Sequence, residues 1–179
     1  MNIFALDPIP EIAASYHCDQ HLNKMILESA QMISTALFHR SFAADFPPGL
    51  LYKPAYEKHP CTLWASASNH NLLWLCELAC NLEHIRTLEL DRNVHASATI
   101  PFTVRDYLRE HFPHCRSDLA DPFATAMPGH ISVRNDLSPV EKYQRYYQYK
   151  SMQRGLTRRG RMTYTHRSIP SFMIGFTQT

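Results

Sequence analysis

The stretch SYHCDQHLNKMILESAQMIS, residues 15–34, decides how this chain reads. At about 100° per residue, Leu22, Met25, Ile26, Ser29 and Ile33 share one broad face, which Ala36 and Leu37 extend to about residue 38. His17, His21, Lys24, Glu28 and Gln31 gather within about a quarter-turn on the opposite side. Three readings of that polar arc stand side by side. It is a solvated face with an i,i+4 Lys24–Glu28 pair worth ~0.3–0.5 kcal/mol. It is a functional surface, with Glu28 as acid, base or electrostatic stabiliser and His21 and Lys24 as its setting. Or it is half of a zinc site, with His17 and His21 joined by His59 and Cys61 downstream, although these spacings match no common zinc motif.

Outward from this helix, the sequence predicts a mainly α fold in one domain spanning 1–179. The 179 residues are 45% hydrophobic and 19% charged, enough apolar material for a real core. A short extended segment, 1–7, leads to Pro8 and Pro10, and a helical start near Glu11 breaks and restarts near Tyr16. The prolines and glycine of 43–60 read as a loop. Trp64, Leu72, Leu75, Ala79 and Leu82 predict a second long helix over 61–90, and a third is expected over 101–112. Ser138-Pro139-Val140-Glu141 is a helix-start signal for 139–153. Five cysteines without a CxxC read as free, mostly buried thiols in a reducing compartment. No apolar run approaches ~18 residues and the N-terminus has no signal-peptide pattern, so a cytoplasmic protein with no membrane partner is expected.

Charge divides the chain. Residues 1–141 carry 10 Lys/Arg and all 16 Asp/Glu, a net of −6, whereas 142–179 carry eight cations and no acid. Such asymmetry points to a polyanionic partner. Lys142, Arg145, Lys150, Arg154, Arg158, Arg159 and Arg161, interleaved with Tyr146, are the candidate nucleic-acid contacts: cations for phosphates, a ring for a base. The alternatives are a plain basic face, with Tyr143, Tyr146 and Tyr147 at core spacing, and contact with another polyanion such as a nucleotide. His59, Trp64 and His130, with His17 and Gln31, are candidate pocket residues. The chain has no P-loop, no GxGxxG and no nucleophile elbow, which removes the usual ATPase, dehydrogenase and α/β-hydrolase readings.

Asp19-Gln20-His21-Leu22, with Glu28 six residues beyond Leu22, resembles the pyrimidine-dimer DNA glycosylase family of the phage endonuclease V type. The opening Met1-Asn2-Ile3-Phe4 and the segment YEKHPCTLW (56–64) are also similar to it, and the likeness covers roughly residues 1–90. The opening and the H-C-D-x-H run resemble a group of short phage proteins as well, which implies the cytoplasm of a host cell. The resemblance implies a compact, all-helical enzyme that uses no metal and acts on duplex DNA; a monomer without a cofactor is expected. It implies a main-chain amine as nucleophile, from Met1 or from Asn2 if Met1 is removed, a catalytic glutamate at Glu28 and the family's histidine at His21, beside which the helix face sets Lys24. A main-chain amine is a weaker base than a lysine, which leaves a usable neutral fraction near neutral pH. The chain departs from the family where Leu27 and Gln31 stand in place of arginines, and where Asn2 is too large for ordinary methionine excision. Two other functions share the expected fold: a phage base-modifying enzyme that takes a small-molecule co-substrate, and a nucleic-acid-binding or host-takeover protein without catalysis.

Overall fold

The computed structural model describes residues 1–157 and 160–177. It is mainly α, with helices α1 (Pro10–Ser15), α2 (Asp19–His39), α3 (Pro60–Ala67), α4 (Asn69–His84), α5 (Thr99–His111), α6 (Gly129–Ser132) and α7 (Pro139–Gly155). Among the described residues no strand forms; one isolated bridge joins Met162 to Thr177. No helix among them is long and apolar enough to cross a membrane.

Helix α4 is the centre. Leu72, Leu73, Trp74, Leu75, Cys76, Leu78, Ala79, Cys80 and Leu82 are buried all around it. A helix apolar on every side must be surrounded, and α1, α2, α3 and α5 pack against it. Helix α2 contributes the stripe read from its sequence: Leu22, Met25, Ile26, Ser29, Ile33, Ala36 and Leu37 are all buried. Proline occupies the first turn of α1, α3 and α7, where its missing N–H costs nothing. The capping box of α7 is complete: the Ser138 hydroxyl accepts from the Glu141 amide, and the Glu141 carboxylate accepts from the Ser138 amide. Ser138→Ala is expected to lower the stability of the full chain by about 1 kcal/mol, read as a fall in thermal midpoint.

Two expectations need correction. The helix expected over 61–90 is broken at Ser68, which is extended and caps α4 by accepting from the Asn71 amide. The break lets α3 and α4 meet at an angle, and Asn71 ties it by donating to the Trp64 carbonyl at 2.8 Å. The run then ends in a π-helical turn, Ile85–Glu89. The polar arc of residues 17–31 is also not an open face. His17 lies in the turn before α2 and is fully buried, and His21 is 5% exposed. The N-terminal segment covers them: Ile3, Phe4, Ala5 and Leu6 are buried, and Phe4 lies between His21 and Tyr146, with ring centroids at 5.0 and 5.7 Å.

The C-terminal segment docks on the start of α2. Thr163 Oγ1, the Thr165 amide and Thr165 Oγ1 donate to Asp19 Oδ2, and Arg167 donates to Asp19 Oδ1 at 2.6 Å. Gln20 pairs with both the amide and hydroxyl of Thr163. The chain's two ends thus meet on one helix.

Candidate functional site

The first residues are folded by Asn2. Its Oδ1 accepts from the amides of Ile3 and Phe4 at 2.8 and 3.0 Å, and its Nδ2 donates to the Ala126 carbonyl. This Asx-type turn forces Phe4 to φ 39°, a left-handed conformation that a bulky residue adopts only under constraint. The side chain of Asn2 is therefore the brace of the turn.

The turn delivers the chain's start to Glu28. The Asn2 amide donates to Glu28 Oε2 at 2.9 Å, and the Met1 amine stands 3.9 Å from Oε1. Lys24 Nζ is 3.4 Å from the same oxygen. The Met1 side chain is 2% exposed, with its sulfur 3.9 Å from Thr62 Oγ1, while the residue as a whole is partly exposed. The part of Met1 that reaches solvent is its main-chain end. His59 caps α3 by accepting from the Cys61 amide; burial, then the nearby amine, holds its ring below the ordinary histidine range.

Beside this group, a cleft of about 490 Å³ lies between α2 and α7, lined by His21, Lys24, Tyr146, Tyr149, Lys150 and Arg154 among others. Lys24 belongs to both features. Lys150 Nζ sits 5.6 and 5.3 Å from the ring centroids of Phe4 and Tyr146. Burial, then Lys24, pulls the Lys150 ammonium below the ordinary lysine range. His21 is held well below its ordinary range by burial and then by His17, Lys150, Lys24 and Arg154, so the ring that lines the cleft is a neutral imidazole. Its Nδ1 is 2.8 Å from the Tyr147 hydroxyl, which also accepts from the Cys18 amide at 3.0 Å. Tyr147→Phe leaves both groups unsatisfied in the interior and is expected to cost about 1–3 kcal/mol in denaturant titration.

The other candidates are placed elsewhere. His17 is not in the cleft; its Nδ1 faces the Ala13 carbonyl, and burial lowers its pKa to about 4. Trp64 is a core residue, with its ring against Trp74 and Phe123. Gln31 is half-buried one turn beyond Glu28. His130 is exposed on α6, edge-on to Tyr149, and borders a neighbouring hollow shared with Arg145. Lys142 is a tether whose Nζ donates to the Ser132 carbonyl. Arg161 is exposed, lies against Gly155 and donates to the Gly175 carbonyl. Arg158 and Arg159 lie outside the described residues. Tyr143 and Tyr147 are fully buried, whereas Tyr146 and Tyr149 are half-buried at the cleft.

The zinc reading finds no support in the placement. Among the described residues no three His, Cys, Asp or Glu side chains converge as a ligating group. Cys61 Sγ is instead 3.8 Å from the Tyr143 hydroxyl. Burial pushes the Cys61 thiol up to about 11 and Cys80 to about 12, so neither supplies a thiolate nucleophile near neutral pH. Searches against protein-family models, curated proteins and solved structures find no match to this chain.

Proposed function

We propose that this chain is a DNA-acting enzyme that processes a damaged or modified pyrimidine in duplex DNA, with the main-chain amine as nucleophile and Glu28 as its proton partner. The observation that carries this reading is the convergence on one carboxylate of the Met1 amine, at 3.9 Å, and the Asn2 amide, at 2.9 Å. A stretch of the chain is bent against its own preference to bring them there.

The chemistry follows from the groups. The amine lone pair forms an N–C1′ bond as the C1′–base bond breaks and the base takes one of the amine's protons; the C1′–O4′ bond then opens, and O4′ takes the other as the C=N bond forms. At a sugar already lacking its base, the same amine adds to the open-chain aldehyde and water leaves. Both routes end in an imine. Loss of the C2′ proton then expels the 3′ phosphate as the C3′–O bond breaks. Glu28 is the group next to the amine that relays the amine's protons and accepts the one from C2′. Stacked bases are out of reach of such a group, so the target nucleotide is extruded.

Borohydride trapping tests the reading. Wild type and an N-terminally acetylated form are incubated with duplexes carrying an abasic site, a thymine dimer or a modified pyrimidine, and mass spectrometry locates any adduct. An adduct at the main-chain amine, lost on acetylation, is expected. DNA binding without an adduct or strand cleavage on all three substrates overturns the imine chemistry.

A further inference from the structure

The cleft between α2 and α7 has a charge balance that catalysis at Glu28 does not use. Three cationic side chains line it, Lys24, Lys150 and Arg154. Lys24 is already partnered by Glu28 at 3.4 Å. Among the described residues no carboxylate pairs with Lys150 or Arg154, and the Nε of Arg154 is buried without a partner. Two unneutralised cations therefore share one concavity, at the cost of mutual repulsion. Burial and then Lys24 lower Lys150, Glu28 acts the other way, and Arg154 adds the smallest lowering. A cleft lined by such a pair attracts and concentrates an anion.

We propose that this cleft is a binding site for a phosphate monoester carried on a nucleoside, with Lys150 and Arg154 as the anion contacts and Tyr146 and Tyr149 as the aromatic wall. The charge selects the monoester. Such a phosphate carries about −1.5 to −2 near neutral pH, against −1 for the diester of a DNA backbone, and the unpaired cations amount to +2. The volume of about 490 Å³ lies within the range of small-ligand pockets, ~300–1,000 Å³. His21 adds a neutral ring to the lining, which does not raise the positive charge further. The site is distinct from the amine at Met1, with Lys24 between the cleft and Glu28 and Phe4 packed between the lining and the N-terminal turn. It gives the protein a place for a second, phosphorylated substrate or effector beside the carboxylate.

The test uses the full chain without DNA, at low ionic strength, with thymidine 5′-monophosphate, thymidine and the dinucleoside monophosphate TpT as probes in calorimetric titration. Thymidine 5′-monophosphate is expected to bind about tenfold or more tighter than thymidine and than TpT. The double variant Lys150→Gln/Arg154→Gln is expected to lose about a hundredfold in affinity for it, while Arg145→Gln, outside the cleft, stays within about twofold. Equal binding of the monophosphate and thymidine by wild type overturns the site without any variant. Binding of TpT as tight as the monophosphate overturns the monoester assignment and makes the cleft a reader of the DNA backbone. An unchanged double variant overturns the two contacts. Because the probes contain no abasic sugar, these outcomes are independent of whether an imine can be trapped.

Discussion

Asp19→Ala is expected to destabilise the protein by about 3–5 kcal/mol, read from the chemical denaturation midpoint of the full chain. The reason is what the substitution leaves behind. Arg167 is 6% exposed and donates to Asp19 Oδ1 at 2.6 Å; its other carboxylate, Glu89, is more exposed and 3.9 Å away. Removing Asp19 strands a nearly buried guanidinium and also frees the Thr163 hydroxyl and the Thr165 amide and hydroxyl. Asp19→Asn keeps an acceptor and loses the charge, so it is expected to fall between wild type and alanine. A change below about 1 kcal/mol for alanine would show that the C-terminal segment is not docked through this carboxylate.

The same contacts set a pH dependence. Burial pushes the Asp19 carboxyl up, but the Thr165 amide, the Arg167 guanidinium and the hydroxyls of Thr165 and Thr163 outweigh it and hold it below the ordinary carboxylate range. Its folded pKa therefore lies below its unfolded value of ~3.9. The stabilisation is fully present above that unfolded value and is lost as pH falls through the folded pKa. Wild type is expected to lose more stability than Asp19→Asn on acidification below about pH 4, so the gap between the two narrows.

Which parts of this were legible in the sequence depends on how far apart the partners lie. The start of α7 was legible because Ser138, Pro139 and Glu141 are within one turn and act on each other. The buried stripe of α2 was legible because period 3.6 is local. The break at Ser68 was not, although Ser68 is a good N-cap, because Trp64, Leu72 and Leu75 keep helical spacing across it and hide the change of axis. The burial of His21 was not legible either. The hydroxyl that satisfies it comes from Tyr147, 126 positions away, and the ring that covers it comes from Phe4. Within the candidate site, the spacing along α2 singles out Glu28 and Lys24, and the resemblance adds weight to Glu28 alone. The brace that sets the amine beside them was missed. Its signal was an Asn at position 2, whose side chain commonly bonds amides one or two residues on. Lys150 and Arg154 were chosen for their charge, but only the fold separates them from Lys142 and Arg167, which are spent on holding the chain together.

Glu28→Gln is expected to reduce trapped adduct and strand cleavage by about 10²–10⁴-fold while leaving duplex binding within a few-fold. Glutamine keeps an oxygen that can accept from the Asn2 amide, so the N-terminal turn has its anchor and the amine keeps its place. In the proposed reaction, what it loses is the capacity to take a proton from the amine and from C2′, together with the negative charge 3.9 Å from the Met1 amine. A structural role for Glu28 predicts a different pattern. In that case Glu28→Gln would be near neutral in every assay, whereas Glu28→Ala, which removes the acceptor altogether, would lower thermal stability, binding and adduct together. Lys24→Gln separates the third partner. Lys24 is 58% exposed, so its pair with Glu28 contributes little to stability, and the melting temperature is expected to move by less than about 2 °C. Trapped adduct from Glu28→Gln equal to wild type, with the amine still the site of attachment, would remove Glu28 from the chemistry and leave the amine acting alone.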